Sequence, residues 1–120
     1  MKVLITAEGM DLESNVDPRF GRAKYFLVLN TETKHLAIHD NTPNLTAARG
    51  AGIQAGQRVA DFGVDAVITG NVGPKAFATL QAANVTVYTG ATGNVRDALA
   101  ALEAGTLPRA SEANVEGHWT

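Results

Sequence analysis

Apolar and polar positions fall into blocks that read as short strands and amphipathic helices in one order. Residues 2–7 form a continuous apolar stretch, the pattern of a strand covered on both faces. Residues 8–24 are polar and irregular, with Gly9, Pro18 and Gly21 breaking any period, and a loop that long in a small domain is usually functional. A strand at 25–29, a turn at 30–34 and an alternating strand at 35–39 read as an antiparallel hairpin. After a loop containing Pro43, a helix begins between Thr46 and Gly52 and ends at Gly63, with Ile53, Val59, Ala60 and Phe62 available for its buried face. A strand at 65–69, a helix at 74–83 and a strand at 85–88 follow. The last helix carries Val95, Ala98, Leu99 and Leu102 on one side and stops at Gly105.

The order β-β-β-α-β-α-β-α predicts an α/β protein of three α/β/α layers around a mixed five-stranded sheet. Right-handed crossovers make the strands at Val3, Val67 and Val85 parallel, with the first two adjacent at the centre. The strand at Tyr25 then runs antiparallel on the other side and the one at His35 lies at the edge. In that topology loop 8–24, loop 40–52 and turns 70–74 and 89–94 share one rim, where open α/β sheets bind ligands. Residues 1–107 are expected to form a single cofactor-binding domain and 108–120, with no periodicity, a flexible tail.

Composition narrows the function. The chain has 120 residues, 45% of them apolar, enough for one domain with a real core. Ten basic and twelve acidic residues give a net charge of −2, which argues against a nucleic-acid partner. No run of about 18 apolar residues exists to span a membrane, and the start is too soon interrupted for a signal peptide. A cytoplasmic location is therefore expected. Cysteine is absent, which excludes thiolate nucleophiles and cysteine-ligated zinc or iron–sulfur clusters within this chain.

The candidate chemistry sits on the rim. Gly70-Asn71-Val72-Gly73-Pro74-Lys75 runs from a strand into a helix, with Pro74 suited to the first helical position. Such a turn aims backbone N–H groups at the positive end of a helix, beside Lys75, and suits an anion. Arg19 and Arg22, three apart around Gly21, could clamp an oxyanion or thioanion with forked donors; alternatively Asp17 pairs with one arginine and Phe20 anchors the loop in the core. The turn at Gly90–Gly93 offers further N–H groups. Arg49-Gly50-Ala51-Gly52 resembles a phosphate-binding turn but lacks the full dinucleotide fingerprint. On a strand His35 and His39 lie roughly 13 Å apart and cannot share a metal; both read as exposed edge residues, with His39, at the end near the rim, a minor candidate for the site. His118 and Trp119 fall in the tail. The first strand carries no acid for a metal-dependent nuclease and no serine sits in a nucleophile elbow, so no catalytic residue is assigned.

Several stretches in order carry a resemblance: Met1 to Ala7, Phe20-Gly21-Arg22-Ala23-Lys24-Tyr25-Phe26, Gly50-Ala51-Gly52-Ile53, Gly63-Val64-Asp65-Ala66-Val67-Ile68, Gly73-Pro74-Lys75-Ala76-Phe77 and Val85-Thr86-Val87-Tyr88. Over 1–107 the chain resembles the dinitrogenase iron–molybdenum cofactor biosynthesis family. The resemblance implies a ribonuclease H-like fold without nuclease activity and a non-catalytic role in binding, carrying or assembling a molybdenum-containing metal–sulfide cluster. The small stand-alone form implies a molybdenum–copper sulfide cluster held non-covalently, which agrees with the lack of cysteine. Other cluster-assembly proteins are the implied partners, and a monomer or weak dimer is expected. The family shares no fixed ligand set, so the metal ligands stay unassigned. A thiomolybdate cluster brings its own sulfide and negative charge. The protein then needs cations (Arg19, Arg22, Lys75), N–H donors (70–75 and 90–93, with Gly50 and Gly52 on the neighbouring loop) and an apolar wall (Phe20, Ile53, Met10). A small-molecule enzyme or a nucleotide- or anion-binding regulator using the same rim is the alternative.

Overall fold

The computed structural model describes residues 1–41 and 51–111. Its elements are β1 (Lys2–Ala7), β2 (Tyr25–Asn30), β3 (Leu36–Asp40), α1 (Ala51–Asp61), β4 (Ala66–Ile68), α2 (Pro74–Ala82), β5 (Thr86–Tyr88) and α3 (Val95–Ala104). The five strands form one sheet in the order β3-β2-β1-β4-β5. β1 pairs parallel with β4, and β4 with β5. β2 lies antiparallel between β1 and β3. This is the mixed sheet the pattern predicts. The apolar runs of β1 and β4 sit side by side because Val3, Leu4, Ile5, Val67 and Ile68 are all fully buried.

Side chains alternate across the strands and fill two cores. On one face Leu4, Phe26, Val28, Val67 and Val87 pack with Ala55 and Val59 of α1 and Ala76, Phe77 and Leu80 of α2. On the other, Val3, Ile5, Leu27, Leu29 and Ile68 pack with Val95, Ala98 and Leu99 of α3. Each fully buried large apolar side chain contributes about 1.5–3 kcal/mol, so the two faces together hold the three layers. His35 precedes β3 instead of belonging to it, because Lys34 takes a left-handed φ of 63° to close the turn. That turn is built on Asn30, whose Oδ1 accepts from the N–H groups of Glu32 and Thr33.

The 108–120 segment begins along the outer edge of β5. Arg109 bridges Tyr88, and Ala110 N–H donates to Val87 O at 2.8 Å. That outer edge is thereby covered by the chain itself. The rest of the segment, with His118 and Trp119, lies outside the described residues.

Candidate functional site

The C-terminal ends of β1, β4 and β5 carry the rim, and backbone bonds lash its loops together. Loop 8–24 leaves β1 and folds back on it, with Glu8 N–H donating to Asn15 O and Asp17 N–H to Thr6 O, both at 2.9 Å. It then reaches the β5–α3 turn, where Val16 N–H donates to Gly93 O at 2.9 Å. Turn 69–73 joins from β4: Arg19 bridges Asn71, Phe20 N–H donates to Asn71 O at 3.2 Å, and Asn71 Nδ2 donates to Pro18 O at 3.0 Å.

Beneath them lies a buried polar knot. Thr6 Oγ1 is 2.8 Å from Asp17 O and 2.9 Å from Thr69 Oγ1. A carbonyl only accepts, so the Thr6 proton goes to Asp17 O and the Thr69 hydroxyl completes the second bond. The Asp17 side chain, 4% exposed, accepts from Arg19 N–H through Oδ1 at 3.1 Å and from Lys24 N–H through Oδ2 at 3.2 Å. The carboxylate is thus used to curl residues 17–24. Asn41, at the end of β3, clasps the same loop by donating Nδ2 to Gly21 O and Ala23 O.

The curled loop presents Arg19, Arg22 and Lys24 around a depression of about 370 Å3, with Glu8, Asp17 and Pro18 completing its lining. Arg19 and Lys24 are exposed and Arg22 half-buried. Lys75 is not part of that lining; it stands exposed in the first turn of α2, four residues beyond the Asn71 contact. The two available helix N-termini differ. In α3, Asn94 Oδ1 accepts from Asp97 N–H at 2.8 Å, and Asp97 adds a negative charge to the first turn. In α2, Gly73 is the N-cap with no side-chain cap and no acid in the first turn. Of these two ends, that of α2 keeps its positive end without a side-chain cap and suits an outside anion.

The other candidates sort by placement. Phe20 is fully buried and stacks on Phe26 with ring centroids 5.8 Å apart. It anchors the loop in the core and offers no face to the rim, so it is corrected from a wall residue to a core residue. Gly70 is also buried, and a Cβ there would meet Pro18 Cα at 2.7 Å and Pro18 O at 2.9 Å. Its glycine lets the two loops touch. Gly90, at φ 79°, donates N–H to Gly70 O at 2.9 Å, and Ala91 N–H donates to Thr69 O at 3.3 Å. These donors of the 90–93 turn are spent inside the rim. Gly52 lies in the first turn of α1; Gly50 and Arg49 lie outside the described residues. Met10 is exposed and Ile53 half-buried.

His39 departs from the expectation of a merely exposed edge residue. Its ring stacks on Phe62 at 4.1 Å between centroids, with the Arg58 guanidinium 5.6 Å from the Phe62 ring. Burial, and then the charge of Arg58, hold its pKa below the ordinary 6.5. His39, His35, Ala37, Val28 and Phe62 line a second depression of about 500 Å3 on the face of β2 and β3, away from the rim loops. Residue reading passed over Lys24, Asn41 and the Thr6–Thr69 pair. The last had a signal: both threonines end apolar strands, and the parallel register of Ile5 with Ile68 sets them side by side.

Among the described residues no group of three or more His, Asp or Glu side chains is placed to hold a metal ion, and none of their helices is long and apolar enough to cross a membrane. A family model described as dinitrogenase iron-molybdenum cofactor matches residues 1–105. The apo form of the orange protein from Desulfovibrio gigas is 41% identical with a TM-score of 0.92, the match covering 95% of this chain and 96% of that one. A NifB-like protein of the DUF35 family from Thermotoga is 38% identical with a TM-score of 0.83, over 97% and 98% of the two chains. An uncharacterized protein of Methanocaldococcus jannaschii is 27% identical over 113 residues, 91% of this chain and 95% of its own.

Proposed function

Because the chain belongs to the dinitrogenase iron-molybdenum cofactor family over residues 1–105, we propose that its rim binds and carries a preassembled, anionic molybdenum-containing metal–sulfide cluster without catalysing a reaction. The observation that carries this reading is the donor set. The chain has no cysteine, and the depression on the rim is lined by three cations, Arg19, Arg22 and Lys24, against two carboxylates, Glu8 and Asp17, of which Asp17 accepts from two backbone N–H groups. Such a site is poor for a bare cation and suited to an anion that supplies its own sulfide. Guanidinium forks can donate to several sulfides at once, and Lys75 with the uncapped end of α2 extends the positive field beside them. The likeness to an orange protein solved in its apo form supports a cargo of this kind, and the molybdenum–copper composition is the form we propose for it. Cytoplasmic location and exchange with other cluster-assembly proteins belong to the same proposal.

Metal and sulfide analysis of protein purified without air tests it. The expected result is a coloured protein holding molybdenum, copper and acid-labile sulfide in fixed ratio, with the colour unaffected by a thiol-alkylating reagent. A colourless, metal-free protein that takes up no thiomolybdate but binds a nucleotide tightly would contradict it and favour a regulator on the same rim.

A further inference from the structure

The two edges of the sheet are finished differently. β5 is covered by the chain's own residues 109–110. For β3, the bond from Asn30 N–H to His35 O at 3.0 Å fixes the phase of the hairpin. Ala37 and His39, opposite Val28 and Phe26, turn their N–H and C=O groups to β2, so Leu36, Ile38 and Asp40 turn theirs outward. The outward Asp40 O accepts from Arg58 Nη1 at 2.9 Å. Among the described residues no hydrogen bond uses the outward groups of Leu36 and Ile38. The strand also lacks the usual guards of an edge: no proline, no bulge and no lysine within it. Ile38 instead leaves 46% of its surface exposed.

We propose that β3 pairs antiparallel with β3 of a second copy of this chain about a two-fold axis at Ala37, continuing the sheet across the dimer. A two-fold axis normal to the sheet keeps each face on its own side, so only registers centred on a residue are allowed. Centring on Ala37 pairs Leu36 of each copy with Ile38 of the other as hydrogen-bonded pairs, which uses all four idle groups on each strand and does not call on Asp40 O. It covers Ile38 with leucine on one face. On the other face His35 stands beside the second copy's His39, and the two depressions beside Phe62 join. Centring on Ile38 would instead set Leu36 against Asp40 and call on the carbonyl that Arg58 already holds. The self-complementary match of the idle backbone groups, and of Leu36 with Ile38, therefore selects both the occupant and its register.

The test is sedimentation of the full chain over a rising concentration series, with register read by cross-linking. The native chain is expected to pass from monomer to dimer, and Ile38→Lys, at a half-exposed edge site that leaves folding intact, to remain monomeric at every concentration. The absence of native cysteine gives each cysteine variant a single thiol. In the proposed register Ala37 faces its own counterpart in a non-hydrogen-bonded pair, with Cα atoms about 4.5 Å apart, inside disulfide range. Ala37→Cys should form a covalent dimer on mild oxidation and Ile38→Cys should not. A native chain that stays monomeric throughout, an Ile38→Lys chain that dimerises as well as native, or cross-linking of Ile38→Cys in preference to Ala37→Cys would each overturn the proposal.

Discussion

Replacing Gly70 by Ala tests how the rim is built. The new Cβ would sit 2.7 Å from Pro18 Cα and 2.9 Å from Pro18 O, so the two loops must part by about 0.7 Å to reach the 3.4 Å at which ordinary contact begins. Both obstacles are backbone, so no side chain can swing away. The movement acts on bonds already at 3.0 Å (Asn71 Nδ2 to Pro18 O) and 3.2 Å (Phe20 N–H to Asn71 O), and 0.7 Å carries either past hydrogen-bonding distance. Overpacking costs typically about 1–3 kcal/mol and each lost bond about 0.5–1.5 kcal/mol. Relaxation of one relieves the other, so we expect about 2–3 kcal/mol in total. For a domain of this size that is a fall in Tm of roughly 6–12 °C. Thermal and urea unfolding of the cluster-free protein measure it. Gly90→Ala is the control, because its cost comes from φ 79° alone, with nothing within 4 Å of the added atom; about 1–2 kcal/mol is expected there. A Gly70→Ala protein within about 0.5 kcal/mol of native, the range of an ordinary surface substitution, would refute the close-approach argument.

Ile68→Asp should leave little folded protein by circular dichroism, since Ile68 is fully buried between β1 and α3 and an unpaired charge there costs several kcal/mol; a cooperative native-like melt would contradict the burial. Asp17→Asn retains the shape but offers one acceptor where two are used, so it should cost about 1–3 kcal/mol and raise amide exchange at Arg19 and Lys24. His39 binds its proton less readily folded than unfolded. The unfolded chain therefore takes up more protons below the ordinary pKa of 6.5, and stability should be full above that pH and fall as pH drops through it. Melts of the cluster-free protein across that range should show the decline, and His39→Gln should flatten it.

Most of the fold was legible because period and burial coincide. The continuous apolar runs at Val3–Ile5 and Val67–Ile68 announced central strands, and Pro74 and Gly105 marked helix boundaries the structure keeps. The candidate site was legible only as a neighbourhood. Arg19, Arg22 and the 70–75 turn share the rim because crossover handedness puts them there. Glycine at a rim turn reads the same whether it binds an anion or admits a neighbouring backbone, and only the distance to Pro18 separates the two for Gly70. Phe20 could not be placed on wall or core by its position beside two arginines; its stacking on Phe26 is a tertiary fact. His39 read as an edge residue because its cover, Phe62, comes from a helix end that periodicity does not aim.

The most direct measurement for the central claim is retention of a reconstituted molybdenum–copper sulfide cluster against salt, for the native chain and for Arg19→Ala combined with Arg22→Ala. Hydrogen bonds to charged groups contribute about 1.5–3 kcal/mol each, so losing two arginines should weaken retention by roughly a hundredfold or more. Native retention should also fall as ionic strength rises, because partly exposed charges are screened. Arg22→Lys should retain more than Arg22→Ala, since it keeps the charge and loses only the fork. Equal retention by the native chain and the double variant at every salt concentration, with both proteins folded, would contradict the basic-rim site.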